Sequence, residues 1–211
     1  MVLGKMNRVD DGRKLLHGLT GESDEERQQL ILAEGQLLRD ARRYDESYRL
    51  LSKALEQMPD NVALLYDTAM AAERLDQVDA MEKRLRRLIE LRPDHAHAYN
   101  ALGYSLADRN LRLAEALLLI EKAHELAPDD AYILDSMGWV HYRLGNLQLA
   151  RDYLQRSYDL KPEPEVAVHL AEVLWVSGDR DGARRLLRQV RTQEPGNELL
   201  KSTLARLRIA L

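Results

Sequence analysis

The chain has 211 residues, 45% of them hydrophobic and 31% charged, and its formal net charge at pH 7 is −4. Nucleic acid is not predicted as a partner, because domains that bind it usually carry a basic surface. The lack of cysteine in the sequence excludes disulfides and thiolate metal sites. No apolar run approaches the roughly 20 residues that cross a bilayer, and the first residues lack the apolar region of a signal peptide. We therefore expect a soluble chain without direct membrane insertion.

The first segment, residues 1–19, contains one predicted helix. Residues 9–16 match the second helix of the helix pairs that follow, and their own first helix is missing. Such a helix would leave Leu15, Leu16 and Leu19 partly exposed, so we expect the chain to be a piece of a longer array. A natural N-terminal capping helix is the alternative.

Five predicted helix pairs follow a polar connection at residues 20–26, in which Ser23 is suited to cap the next helix. Their helices lie near 25–41 and 44–57, 62–74 and 78–91, 96–108 and 113–126, within 131–162, and near 164–176 and 180–193. The third pair is one residue longer than its neighbours. We place the extra residue at 109–112, because inside a helix it would rotate the apolar face by about 100°. A last helix within 198–211 carries leucines on one side and is predicted to cap the array.

The helix pairs recur with a nearly constant period. Their closing prolines are separated by 34, 35, 34 and 33 residues: Pro59, Pro93, Pro128, Pro162 and Pro195. Small or apolar residues stand twelve positions before these prolines (Ser47, Met81, Ala116, Ala150, Ala183) and eight before them (Leu51, Leu85, Ile120, Leu154, Leu187). A period of about 34 residues made of helix, turn, helix and proline is the signature of the tetratricopeptide repeat (TPR), and the chain resembles that family over most of its length.

The resemblance implies an all-α fold class, a right-handed superhelical α-solenoid of TPR helix-turn-helix repeats. It divides the chain into the second helix of a truncated repeat (1–19), TPR 1 (20–59), TPR 2 (60–93), TPR 3 (94–128), TPR 4 (129–162), TPR 5 (163–195) and a C-terminal capping helix (196–211). Within TPR 4, Gly138 and Ala150 are predicted to face each other, because two helix backbones approach closely only where side chains are small.

The first helix of each pair also carries a second stripe of residues that the core does not require. In TPR 4 this stripe is centred about 130° around the helix from the core stripe. In the TPR family, first helices line a concave groove that takes peptide segments, so the resemblance implies a protein or peptide ligand there. The implied groove residues are Tyr66, Met70, His97, Asn100, Tyr104, Asp108, Tyr132, Asp135, Trp139, Tyr142, Glu172 and Trp175. The alternative is that some of these side chains pack between adjacent repeats.

The chemistry of this stripe favours one class of ligand. Of the residues that grip a terminal carboxylate in chaperone-binding TPR proteins, only Asn100 has a counterpart here. We expect instead an apolar or aromatic-bearing ligand, with a basic residue near Asp108, Asp135 or Glu172. Aromatic side chains with a polar end are favoured as interface anchors.

No catalytic, cofactor or metal site is predicted, and we expect no enzyme. The sequence lacks glycine-rich phosphate loops and the common hydrolase and zinc motifs. His95 and His97 are two residues apart, which on a helix does not place them on one metal-binding face. His141 and His169 are predicted to be packed, hydrogen-bonded imidazoles. Basic runs on two second helices, at 83–87 and 184–188, are predicted to be solvated outer faces, with an acidic partner as the alternative.

A closer resemblance covers residues 30–207. The segments NALGYSLADRN, EALLLIEKAHELAPDDAYILDSMGWVHYRLGN and EPEVAVHLAEVLW are similar to the C-terminal TPR region of bacterial cell-envelope lipoproteins. This implies a longer parent tethered at the periplasmic face of the outer membrane by a lipidated cysteine upstream. It also implies a non-enzymatic scaffold or adaptor, delivering substrates to an envelope protease in some cases. A structural, self-assembling scaffold that forms homo-oligomers is the alternative.

Overall fold

The computed structural model describes residues 8–19, 21 and 23–211, and within these ranges the chain forms twelve α-helices and no strand. The helices are α1 (Val9–His17), α2 (Asp24–Asp40), α3 (Tyr44–Gln57), α4 (Val62–Arg74), α5 (Val78–Leu91), α6 (Ala96–Asp108), α7 (Leu113–Leu126), α8 (Ala131–Arg143), α9 (Leu147–Leu160), α10 (Pro164–Val176), α11 (Arg180–Gln193) and α12 (Glu198–Leu207). The predicted helices end within about one residue of these bounds. The parts of the predicted ranges 1–19 and 20–59 at residues 1–7, 20 and 22 lie outside the described residues.

The chain divides into two compact units, Met1–Ala98 and Tyr99–Leu211. In the first unit α1 packs against α2, α2 against α3, α3 against α4, and α4 against α5. In the second unit α7 to α11 do the same, and α12 packs against both α10 and α11. None of the helices in the described part of the chain is long and apolar enough to cross a membrane.

The two residue tracks that follow the proline period form the cores of both units. All ten of their side chains have no solvent-exposed area: Ser47, Leu51, Met81, Leu85, Ala116, Ile120, Ala150, Leu154, Ala183 and Leu187. Burial of a leucine or isoleucine side chain contributes about 1.5–3 kcal/mol relative to leaving it exposed. Burial of these periodic side chains therefore stabilises each helix pair.

Glycine allows the two helices of a pair to approach closely. A Cβ atom added at Gly138 of α8 would lie 2.5 Å from Leu154 Cγ and 3.0 Å from the Ala150 carbonyl oxygen on α9. Gly103 of α6 faces α7 in the same way, at 2.5 Å from Ile120 Cγ1. The predicted approach at Gly138 and Ala150 is confirmed.

Every turn inside a helix pair contains at least one residue with a left-handed backbone. These residues are Arg42, Asp76, Asn110, Gly145 and Gly178. The turn at 109–112 has one residue more than the others, and Arg112 is a second left-handed residue there, with φ of 44°. The extra residue of the third pair therefore lies in this turn, as predicted, because a turn absorbs it without changing the apolar face of either helix.

The two ends of the described chain carry short helices. At the start of α2, Ser23 accepts the Glu26 amide while the Glu26 side chain accepts the Ser23 amide, which confirms the predicted cap. On α1, Leu15 is 64% exposed and Leu19, just beyond the helix, is 58% exposed, whereas Leu16 packs on leucines of α2. On α12 the three leucines predicted to face the array do pack on the core of the second unit: Leu200, Leu204 and Leu207.

Candidate functional site

The second stripe of residues on the first helices is largely internal to the second unit. Trp139 of α8 is 3% exposed, and its indole stacks on the His169 ring of α10 with 4.1 Å between centroids. The indole Nε1–H donates to Asp108 Oδ1 at 3.2 Å. Tyr142, half-buried, has its ring centroid 5.2 Å from that of the indole. Trp139 is thus held by several of this chain's own residues.

A buried ion pair joins the same two helices. The His169 ring is 1% exposed, and its Nδ1 lies 2.9 Å and 3.0 Å from the two carboxylate oxygens of Asp135. Burial lowers the pKa of His169, but the carboxylates of Asp135, Glu165 and Glu172 outweigh it, so the pKa of His169 is raised from its usual value. Among the described residues Nε2 has no hydrogen-bond partner. The imidazole is therefore oriented by its pairing with Asp135 and by stacking on the indole.

Tyr104, on α6, lies beside the group formed by Trp139, Asp135 and His169. Its hydroxyl donates to Glu165 Oε1 at 3.2 Å, and its ring lies 6.2 Å from that of His169. Burial raises the pKa of Tyr104 well above its usual value, and the carboxylates of Glu165, Asp135 and Asp108 raise it further. The phenol therefore acts as a neutral donor that links α6 to α10.

A second buried carboxylate holds the last helix. Glu172 of α10 has no exposed area and accepts two hydrogen bonds of 2.6 Å from the Arg206 guanidinium on α12. Its charge also raises the pKa of Tyr142 to about 12, after the larger effect of burial. The two-pronged geometry suits a planar guanidinium and a carboxylate. The charge of the Glu172 carboxylate is thereby balanced by the Arg206 guanidinium.

The exposure predicted for the centre of the groove is therefore wrong for three residues. Trp139, Asp135 and Glu172 are each buried, and each has a partner within the chain. Within the second unit, α8 and α10 pack side by side, so the stripe of α8 meets residues of α10. The alternative of packing between repeats holds for these side chains.

The remaining predicted residues of the second unit are divided between surface and interior. Tyr132 is 50% exposed and lies under the Lys161 ammonium, 4.4 Å from ring centroid to Nζ. Asn100 is half-buried, and Asp108 is exposed apart from its bond to the indole. Trp175 is half-buried beneath the guanidinium groups of Arg180 and Arg184. Tyr132, Asp108 and Trp175 thus each have a contact within the chain.

The first unit contains an open pocket of about 350 Å³. Two of its lining residues, Tyr66 and His97, were predicted from the sequence, and half-buried Met70 lies one turn further along α4. The others were not predicted as site residues: Val62, Ala63, Asp67 and His95. The Tyr66 ring packs against the His95 ring, with centroids 5.6 Å apart. The pocket therefore lies between the start of α4 and the start of α6.

The polar groups of this pocket are held in place by the local fold. His95 Nδ1 accepts the Ala98 amide at 3.1 Å, so in the neutral ring the proton is on Nε2. Burial lowers the pKa of His95, which favours this neutral form. Asp67 is paired with Arg39 at 3.1 Å, and burial raises the pKa of Asp67. The pocket thus offers an aromatic wall, a neutral imidazole donor and a carboxylate that is already paired.

Sequence reasoning could have found some of these residues. His95 precedes α6 at the position where an N-cap is expected, and Asp67 stands 28 residues from its partner Arg39 on the neighbouring first helix. This separation is shorter than the repeat period, but it places the acid and the base on the first helices of consecutive repeats, where they can pair.

Comparison with known proteins shows the family. Residues 38–103 and 141–207 match one sequence model of the tetratricopeptide repeat, and residues 82–131 match another. A TPR repeat-containing protein of Pseudomonas aeruginosa is 43% identical over 171 residues, which are 81% of this chain and 29% of that protein. The chain thus spans about three tenths of the length of this curated relative.

Solved structures show the same fold. A thermophilic TPR protein of Thermus thermophilus has 25% sequence identity and a TM-score of 0.75, over 86% of this chain and 99% of the other. The Cut9–Hcn1 structure of the APC/C has 17% identity and a TM-score of 0.82, over 97% of this chain and 40% of the other. The predicted all-α TPR solenoid fold class is confirmed. The chain belongs to the tetratricopeptide repeat family.

Proposed function

We propose that the protein is a non-enzymatic scaffold that binds a peptide segment of a partner protein in the pocket formed by α4 and the start of α6. Proteins of the TPR family are in general scaffolds for protein–protein interactions. The observation that supports this site is the open, aromatic-walled pocket of the first unit. It contains predicted groove residues whose side chains the fold leaves accessible, whereas Trp139 is sealed.

The lining of the pocket suggests what the ligand presents. Val62, Ala63 and the Tyr66 ring give an apolar surface, so an apolar or aromatic side chain is the best occupant. The neutral His95 ring adds a hydrogen-bond donor at its Nε2. A basic ligand residue gains little from Asp67, because that carboxylate already pairs with Arg39.

The test starts from peptides of random sequence selected for binding to the protein. Tyr66→Ala removes the aromatic wall and should weaken the selected peptides by about 30-fold or more, which corresponds to roughly 2 kcal/mol for an interface anchor. Tyr132→Ala removes an equally large ring that is 50% exposed in the second unit. It should change affinity less than about twofold. Isothermal titration measures both, after circular dichroism has shown that each variant keeps its helicity.

Two results would contradict this site. Equal losses in the two variants would show general dependence on surface aromatics. A loss in Tyr132→Ala alone would place the ligand on the second unit.

The cellular role that we propose is an envelope adaptor, in which a longer parent at the periplasmic face of the outer membrane delivers substrates to an envelope protease. Its support is the sequence resemblance of residues 30–207 to envelope lipoproteins. Fractionation of cells that express the tagged parent, together with palmitate labelling, tests the location. A parent that stays in the cytoplasm and takes up no label would refute it.

A second candidate is self-assembly into a structural scaffold. The observation that favours it is the pair of leucines near α1, Leu15 and Leu19, which are more than half exposed. Light scattering of the chain and of the Leu15→Gln/Leu19→Gln variant tests it. An oligomer that persists in this variant would exclude these leucines as its contact.

A further inference from the structure

The charge of the chain is unevenly distributed. Residues 180–211 contain eight basic and three acidic residues, a net charge of +5, which leaves −9 for residues 1–179. Most of the basic residues lie on α11, the second helix of the last pair. This helix is a local positive surface on an acidic protein.

Four arginines of α11 form one stripe. Arg180, Arg184, Arg188 and Arg191 follow each other at intervals of four, four and three residues, which places them within about 80° of one face of the helix. The stripe is about 16 Å long, because a helix rises about 1.5 Å per residue. Another face of the helix, with Ala183, packs in the core.

The other basic run of the chain lies on α5, and its arginines have partners within the chain. Arg87 binds Asp60 and Glu90 at 2.8 Å and 3.0 Å. The other arginines of the run also have partners, Glu82 at 2.6 Å for Arg86 and the Tyr48 hydroxyl at 3.1 Å for Arg84. The charges of Arg86 and Arg87 are thus balanced by carboxylates within the chain.

On α11 comparable pairing is weak. The nearest carboxylate of Arg184 is Asp181, at 3.8 Å and almost fully solvated. Arg188 has no carboxylate partner in the part of the chain that the structure describes, and Arg191 donates to the Leu211 backbone carbonyl, at 3.4 Å. Like charges along one helix repel each other unless an anion lies between them. The stripe therefore favours an external anion.

Trp175 orders one end of the stripe. Its ring lies 5.0 Å from the Arg180 guanidinium carbon and 5.1 Å from that of Arg184. Cation–π contacts of this kind hold two flexible side chains above one rigid ring. The entropy lost when these arginines bind an anion is thereby reduced.

We propose that the arginine stripe of α11 binds a short acidic segment of a partner protein, with carboxylates at alternate positions of an extended chain. Successive arginine Cα atoms of the stripe advance about 4.5–6 Å along the helix axis, and alternate side chains of an extended chain are about 6.6 Å apart. Arginine pairs with carboxylates in a planar, two-pronged geometry. This surface shares no residue with the pocket on α4, so either proposal can fail alone.

The charge distribution favours a short segment over a larger polyanion. Nucleic acid or an anionic bilayer extends well beyond one helix, and the charge of −9 on the rest of the chain would repel it. A segment of about five extended residues covers the stripe without reaching further.

The test measures fluorescence anisotropy of a labelled peptide of about 12 residues that alternates Glu and Ser, in roughly 50 mM salt, where surface charges are weakly screened. A Gln-Ser peptide of the same length is the uncharged control. Arg184→Gln/Arg188→Gln should weaken binding of the Glu-Ser peptide by about tenfold. Arg86→Gln/Arg87→Gln changes the net charge equally but removes two arginines of α5 that are paired with carboxylates, and should weaken binding less than about twofold.

Three results would overturn the proposal. Equal weakening by the two double variants would show general attraction to a positive charge. Equal binding of the Gln-Ser peptide would show that carboxylates are not recognised. Binding of phosphatidylglycerol vesicles or of a single-stranded DNA through the stripe, without binding of the Glu-Ser peptide, would show a different class of partner. The four substituted side chains reach the surface, so each double variant should keep its helicity. Circular dichroism checks this, so that a change in affinity is not a change in folding.

Discussion

Replacement of Trp139 by alanine tests whether the second stripe of α8 belongs to the interior. The indole is 3% exposed, and truncating a buried tryptophan to alanine costs about 3–5 kcal/mol of the free energy of unfolding. The lost hydrogen bond to Asp108 accounts for about 1 kcal/mol of that cost. We expect a loss of about 4 kcal/mol from the second unit.

The assay is urea unfolding followed by circular dichroism and by tryptophan fluorescence. The chain has two tryptophans, so in Trp139→Ala the signal comes from Trp175 alone, which lies in the same unit. Tyr132→Ala is the matched control, because it truncates a 50% exposed aromatic ring of the same helix. It should cost less than about 1 kcal/mol, the value of an exposed cation–π contact with Lys161.

A loss below about 1 kcal/mol in Trp139→Ala, similar to that in the control, would refute the reasoning. It would mean that the indole contributes no packing. The exposed groove centred on Trp139 would then be the better interpretation.

Two further predictions concern polar and steric contacts inside the helix pairs. The raised pKa of His169 stabilises the fold below the unfolded pKa of about 6.5, and this contribution is lost as pH rises through the folded pKa. In Asp135→Asn the effect of burial is the larger one, so the pKa of His169 should be lowered instead of raised. The free energy of unfolding should then depend on pH with the opposite sign, which urea titrations at several pH values measure. Gly138→Ala should cost about 1–2 kcal/mol in thermal unfolding, because the added Cβ meets the backbone of α9. Gly35→Ala should cost about 1 kcal/mol less, because only the side chain of Leu51 must move.

Each of these has a clear contradicting result. The same pH dependence in wild type and Asp135→Asn would show that the carboxylate does not set the charge of His169. An equal cost at the two glycines would show that contact with the α9 backbone adds nothing beyond contact with a side chain.

The arrangement of helices was predictable from the sequence because its causes are local. Apolar residues at helical spacing, turn residues and closing prolines act within one repeat of about 34 residues. The extra residue of the third pair could be placed at 109–112 for the same reason, since only a turn tolerates it. The core residues, such as Leu154, followed from the period alone.

The candidate site was only partly predictable. Tyr66 and His97 belong to the pocket, but Asp67 and His95 were not assigned to it, because the pocket depends on how consecutive first helices meet. The basic runs on α5 and α11 look alike in sequence. Their difference lies in carboxylates such as Asp60, which stands 27 residues from Arg87.

The sequence by itself determined the family, the helix pairs and the residues of the core, because a short period leaves each pair little choice of partner face. Only the tertiary structure decided which side of each first helix reaches solvent. The Asp135–His169 and Glu172–Arg206 pairs each span 34 residues, so they form only when one repeat packs on the next. The physical reason is that a charged or aromatic stripe has the same pattern along its own helix whether it faces water or a complementary neighbour.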